Sequence, residues 1–271
     1  MSSSAGSASG RRIALVTGVG RRAGIGAAVV ERLASDELDV AFTWWGAYDE
    51  RMPWGGDREA SSTLAAAVGS HGVGCLAVEA DLTRPEAPAE VFDSVEDRLG
   101  PISVLVMCHS ESVDSGILDT TVESFDRHFA VNARATWLLV REAGLRFPGP
   151  HGSGRIIALT SDHTVGNLPY GASKGALDRI TLAAAHELAH LGVTANVINP
   201  GATDTGWMTE EQLAEVAAAT PLGRVGQPSD AANLVSFLCS ADGGWVKGSC
   251  CTQTAASRAA EGCGPQHPGT Q

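Results

Sequence analysis

Ile13-Ala14-Leu15-Val16-Thr17-Gly18-Val19-Gly20-Arg21-Arg22-Ala23-Gly24-Ile25-Gly26 is the stretch on which the fold turns. Its first five residues form a compact, mostly apolar run, as a strand buried on both faces requires. Glycines then recur, and an Ala/Val/Leu pattern of helical spacing begins at Ile25. Glycine lets the backbone turn sharply and approach a pyrophosphate, whose charge then sits at a helix N-terminus. A glycine-rich turn alone is weak evidence. Between a first strand and a first helix it predicts a dinucleotide-binding loop, with Thr17, Gly18, Gly20, Arg21, Arg22, Gly24, Ile25 and Gly26 at the cofactor.

Outward from this loop, short apolar runs alternate with helical patterns. Strands are expected at Ile13–Thr17, Val40–Trp44, Val73–Glu79, Ile102–Met107, Arg155–Thr160 and Val193–Asn199, and helices at Ile25–Leu33, Glu59–Val68, Ala87–Leu99, Val122–Leu145 and Ala172–Leu191. This alternation predicts an α/β fold, a doubly wound parallel sheet of Rossmann-like type. No Pro/Gly linker or long repeat divides it, so a single domain is expected over residues 12–248. Residues 1–11 read as a disordered Ser/Gly-rich tail, and 249–271 as a divergent C-terminal tail.

Composition agrees. Of 271 residues, 44% are hydrophobic and 18% charged, enough for a sizeable core, and the net charge of −12 argues against a nucleic-acid surface. No apolar run is long enough for a membrane span, and no signal-type segment precedes the first strand. The six cysteines show no paired framework, which points to a reducing cytoplasm.

The choice of nicotinamide cofactor turns on the second strand. An acid near its end binds the ribose 2′-hydroxyl of NAD. Here the segment reads Phe42-Thr43-Trp44-Trp45, with no acid until Asp49, while Arg21 and Arg22 stand in the loop and can pair with a 2′-phosphate. NADP(H) is preferred, with NAD(H) as the alternative. Trp44, Trp45 and Trp54 read as packing around the second strand rather than lining a pocket.

Further along, Tyr170-Gly171-Ala172-Ser173-Lys174 places a phenol and an amine four residues apart on one helix face. A phenol of pKa about 10 is a poor base at neutral pH, and a nearby ammonium favours its ionised form. On this motif and the glycine loop, the chain resembles the short-chain dehydrogenase/reductase family over Arg12 to Lys247, in particular members like the 3-oxoacyl-carrier-protein reductases. The resemblance implies hydride transfer to or from a carbonyl on a small molecule. Tyr170 would supply the proton, and Lys174 would lower the Tyr170 pKa and hold the nicotinamide ribose. Ser161, after the fifth strand, matches the residue that polarises the carbonyl, and Asn132 the one that supports a proton relay. Asp81, followed by Leu82, matches the adenine contact. Pro200, Gly201, Thr203 and Thr205 match the segment that touches the carboxamide and phosphates. A lid is expected at Trp207–Ala219. The family resemblance also implies a homo-oligomer, dimer or tetramer, built on Val122–Leu145 and Ala172–Leu191.

Several features depart from the family. Met107-Cys108-His109-Ser110 replaces its Asn-Asn-Ala-Gly, so a cofactor contact from Cys108 rests on position alone. The glycine loop is longer than the common form. Enoyl reductases lengthen it too, but they space Tyr and Lys more widely, which favours ketone chemistry here. Ser161 lies closer to Tyr170 than is usual, which makes Thr164 a stand-in. Past Gly248 the family's ending is missing. GC-rich codons for Gly248–Ser257, read in the shifted frame, give Gln-Leu-Leu-His-Thr-Asp-Gly-Gly-Phe and restore that ending, so a frameshift is the expected origin of the tail. Two other functions compete. His186-Glu187-Leu188-Ala189-His190 fits a zinc-hydrolase helix motif, although no third ligand follows and no metal is expected. The altered Met107–Ser110 loop suggests a dinucleotide-binding regulator with impaired catalysis.

Overall fold

The computed structural model describes residues 10–56 and 59–253. Its strands are β1 (Ile13–Thr17), β2 (Asp39–Trp44), β3 (Cys75–Glu79), β4 (Ile102–Met107), β5 (Gly154–Leu159), β6 (Val193–Asn199) and β7 (Cys250–Thr252). They form one parallel sheet in the order β3-β2-β1-β4-β5-β6-β7. The helices are α1 (Ile25–Ser35), α2 (Gly46–Glu50), α3 (Ala60–Gly69), α4 (Ala87–Arg98), α5 (Val122–His128), α6 (Thr136–Arg146), α7 (Leu168–Glu187), α8 (Glu210–Ala219) and α9 (Pro228–Cys239). The doubly wound expectation holds. Among the described residues, no helix is long and apolar enough to cross a membrane.

Both faces of the sheet are covered, and β1 shows why its sequence is almost wholly apolar. Ala14 and Val16 join Val29, Val30 and Leu33 of α1 and Val235 and Leu238 of α9 in one core. Ile13 and Leu15 join Val91 and Phe92 of α4, Leu139 of α6 and Leu177 of α7 in the other. Alternate side chains feed opposite cores, so no polar face is left. The strand order reverses between β1 and β4, and in such sheets the crevice at the strands' carboxyl ends takes the ligand.

Besides the short α2, which was not anticipated, four elements differ from the sequence expectation. The helix expected at Val122–Leu145 is α5 and α6 joined by a π-helical segment, Phe129–Ala135, which carries Asn132. The lid helix starts at Glu210, where Thr209 and Gln212 form a capping box, leaving Trp207 and Met208 in the preceding loop. Helix α9 was not anticipated, although Pro228 in its first turn and Ala231, Ala232, Val235 and Leu238 on its buried face are the pattern of an amphipathic helix. Its C-terminal carbonyls are held by two arginines. Arg12 Nη1 donates to Cys239 O at 2.6 Å and Arg155 Nη2 to Ser240 O at 3.2 Å, cations at the negative end of the helix dipole.

The fourth difference is β7, which continues the sheet past the boundary drawn at Gly248. Cys250, Cys251 and Thr252 pair with Val197, Ile198 and Asn199. Main-chain groups suffice for that pairing whatever the side chains. Of the tails read at 1–11 and 249–271, only residues 10–11 and 249–253 are among those described.

Candidate active site

A cleft of about 850 Å³ opens over the carboxyl ends of the strands. Gly18, Gly20, Arg21, Gly24, Ile25 and Gly26 of the glycine loop line it, with Leu82 and Cys108. So do Ser161, Tyr170, Pro200, Gly201, Thr203 and Thr205. The structure therefore brings together most of the residues singled out in the sequence. Five do not reach the wall: Thr17, Arg22, Asp81, Asn132 and Lys174. Arg22 is exposed outside the cleft. Asp81 accepts from Thr83 N at 2.9 Å and faces a smaller cavity beside Trp45 and Arg84. Trp44 packs against the core as read, but Trp44, Trp45 and Trp54 also line the cleft, which the packing role read for them did not include.

The glycine loop is fastened to β2, with Val19 N donating to Thr43 O at 2.7 Å and Gly18 N to Thr43 Oγ1 at 3.3 Å. Gly18 has φ +78° and packs on the His109 backbone, where a side chain would collide. A Cβ on Gly26 would stand 2.9 Å from Gly18 O, so helix α1 can start against the loop only with glycine there. This cradle at a helix N-terminus fits the pyrophosphate of a dinucleotide.

Around Tyr170 the geometry is specific. The Ser161 and Ser110 side chains both lie close enough to act on its hydroxyl, and all three residues line the cleft. Thr164 is exposed and does not line it. Burial pushes the phenol above its ordinary pKa, while the two serine hydroxyls pull the other way. The Lys174 Nζ is turned to the Leu159 carbonyl at 2.8 Å and lies 5.8 Å from the Tyr170 ring centre. Burial lowers the Lys174 amine to about 8. Tyr170 is therefore protonated at neutral pH, the form that can donate.

Asn132 spends its amide on positioning. Its Oδ1 accepts from Glu111 N at 2.8 Å, and its Nδ2 donates to Glu111 O and Ser173 Oγ, both at 2.9 Å. Ser173 Oγ in turn donates to Tyr170 O at 2.8 Å. This ties the loop after β4, which carries Ser110, to the helix that carries Tyr170. Arg51 grips the buried Glu111 with two bonds of 3.2 and 3.0 Å.

Sequence reasoning missed Ser110, Glu111, Asp49 and the role of His109. The only signals were the unfamiliar Met107–Ser110 loop and the long link after β2. His109 Nδ1 meets Thr17 Oγ1 at 2.6 Å, and the ring is also hydrogen-bonded to the Val131 backbone. Burial drives its pKa down to about 3, so the imidazole is neutral. The zinc motif finds no support: His186 and His190 are exposed, and α7 ends between them at Glu187. Among the described residues, no group of three or more His, Cys, Asp or Glu could hold a metal.

Comparison with known proteins agrees with this geometry. The family model described as "Enoyl-(Acyl carrier protein) reductase" matches residues 18–253. The uncharacterized oxidoreductase YjdA of Bacillus subtilis is 35% identical, over 88% of this chain and 93% of its own. A blue fluorescent protein from a metagenomic library, solved in complex with NADPH, superposes with a TM-score of 0.81 at 31% identity, covering 92% of this chain and 98% of its own. The angucycline C-6 ketoreductase LanV, solved with bound NADP, gives 0.79 at 28%, over 91% and 95%. With a glycine cradle, a Tyr170–Ser161 pair and relatives that match almost end to end, the chain belongs to the short-chain dehydrogenase/reductase family and is an oxidoreductase.

Proposed function

We propose that the chain is an NADP(H)-dependent carbonyl reductase that also runs in reverse on the matching alcohol. One observation carries the reading. Tyr170, its phenol raised by burial above the ordinary value and acted on by Ser161 and Ser110, lines the same cleft as the glycine cradle. A bound nicotinamide dinucleotide supplies the hydride or takes it up. The glycine loop from Gly18 to Gly26 would hold its pyrophosphate, and Arg21 a 2′-phosphate. The segment from Pro200 to Thr205 would meet its carboxamide end, and Lys174 its ribose hydroxyls.

Ser161 and Tyr170 orient a substrate carbonyl by donating to its oxygen. As charge develops there, Tyr170 gives up its proton. A ketone or aldehyde suits this site better than an enoyl thioester, because Tyr170 and Lys174 keep the four-residue spacing. The NADPH and NADP named in the two solved relatives support the cofactor choice. The regulator reading loses its motive, since the altered loop supplies Ser110 to Tyr170.

Val122, Phe125 and Trp137 are exposed along α5 and α6, which supports a homo-oligomer formed through that face. The free cysteines 75, 108, 239, 250 and 251 support a reducing, cytoplasmic setting.

The test is NADPH oxidation over a panel of ketones, aldehydes and quinones. Tyr170→Phe is expected to lower turnover of any substrate found by about a hundredfold or more, and Ser161→Ala by at least about tenfold. NADPH fluorescence unchanged by the protein, or turnover intact in Tyr170→Phe, would remove the proposal.

A further inference from the structure

Connections between a strand and the next helix in such folds are usually short, roughly two to six residues. The link from β2 to α3, residues 45–59, is far longer and carries α2; its Trp45, Tyr48, Asp49 and Trp54 line the cleft. Asp49 of α2 is buried, and its Oδ1 accepts from Trp54 Nε1 at 2.9 Å. Its other oxygen lies against Gly20, where a methyl group would collide with it. The Arg21 guanidinium packs over the Trp54 ring, 4.4 Å from its centre, within the electrostatic reach of Asp49, and both residues line the cleft. Because the loop is fastened to Thr43 at the end of β2, Gly20 and Arg21 stand on the side of the crevice that takes the adenosine ribose in this fold. Two opposed devices therefore meet at one point. A carboxylate suits a ribose 2′-hydroxyl, and a guanidinium suits a 2′-phosphate.

We propose that Asp49 sets the balance between NADPH and NADH, accepting the 2′-hydroxyl of NADH and opposing the 2′-phosphate of NADPH for possession of Arg21. This rests on the reading of the cleft as a nicotinamide dinucleotide site. The acid comes not from the strand end but from an added helix, held in place by the Trp54 N–H. Arg21 thus lies in the field of Asp49 in the free protein. A 2′-phosphate held by Arg21 would stand in the field of a carboxylate, whereas a 2′-hydroxyl would find an acceptor in it.

The experiment compares the Kd of NADPH and of NADH, each by fluorescence titration, in wild type, Asp49→Asn and Trp54→Phe. Asn keeps the shape and the acceptor for Trp54. Phe keeps a smaller aromatic ring near Arg21 and removes the N–H that anchors the acid. The Kd ratio of NADH to NADPH is expected to rise by about tenfold in Asp49→Asn, the effect of one like charge removed from beside a phosphate in a half-buried site. A smaller rise is expected in Trp54→Phe. A ratio that stays put or falls in the folded variants overturns the assignment of Asp49. If Asp49→Asn does not fold, Trp54→Phe decides alone by the same criterion. Wild-type protein that binds neither nucleotide overturns the site reading, and this one with it, whereas tight NADPH binding with an unmoved ratio overturns Asp49 only.

Discussion

His109 packs against Gly18 of the glycine loop, and its burial, with the Lys174 cation acting in the same direction, makes it a sensor of acid. Its folded pKa of about 3 lies below its ordinary 6.5, so in acid the unfolded chain binds a proton that the folded chain refuses. The stability this gives is complete above pH 6.5 and is lost as the pH falls from 6.5 towards 3. At pH 5 the loss is about 2 kcal/mol. Urea unfolding at pH 7 and pH 5 is expected to show that loss in wild type and little of it in His109→Gln. An equal loss in both would assign the acid sensitivity elsewhere. Nothing in the sequence announced this residue. Tyr170, Ser161 and the glycines were legible because each has a fixed distance from a recognisable strand or helix. Ser110 and Asp49 were not, because their importance comes from contacts across the chain: Ser110 to Tyr170, and Asp49 to Gly20.

At the level of elements, the contact of α1 with the loop before it is the tightest constraint on the cofactor wall. Gly26→Ala would put a methyl 2.9 Å from Gly18 O and 3.2 Å from Val19 Cγ2, and backbone cannot yield there cheaply. We expect a destabilisation of roughly 1–3 kcal/mol, measured by urea melts, together with weaker NADPH binding. A variant with wild-type midpoint and affinity would show that α1 slides freely. Strands β1, β4 and β6 were readable from their apolar runs because both their faces are buried. The π-helical segment was not, since it arises from Asn132 reaching the Glu111 backbone rather than from any local pattern. Helix α9 escaped notice although its apolar spacing is regular, for it follows the Thr203–Gly226 region, where loop residues dominate.

For the molecule as a whole, Trp137 of α6 is 51% exposed, and Val122 and Phe125 of α5 are exposed too. The proposed homo-oligomer would cover them. Trp137→Glu is expected to shift the protein to monomers in sedimentation velocity. An unchanged species distribution would exclude these residues as the contact. The last strand has a different logic. Val197 N donates to Ser249 O, Gln253 N donates to Asn199 O, and Gln253 Nε2 reaches Asp230 O, so the edge is held at both ends largely by main-chain atoms. An edge addressed in this way is nearly blind to the letters written on it. A change of reading frame past Gly248 would recolour its side chains, Cys251 against the core among them, yet leave the track of the polypeptide where it already runs.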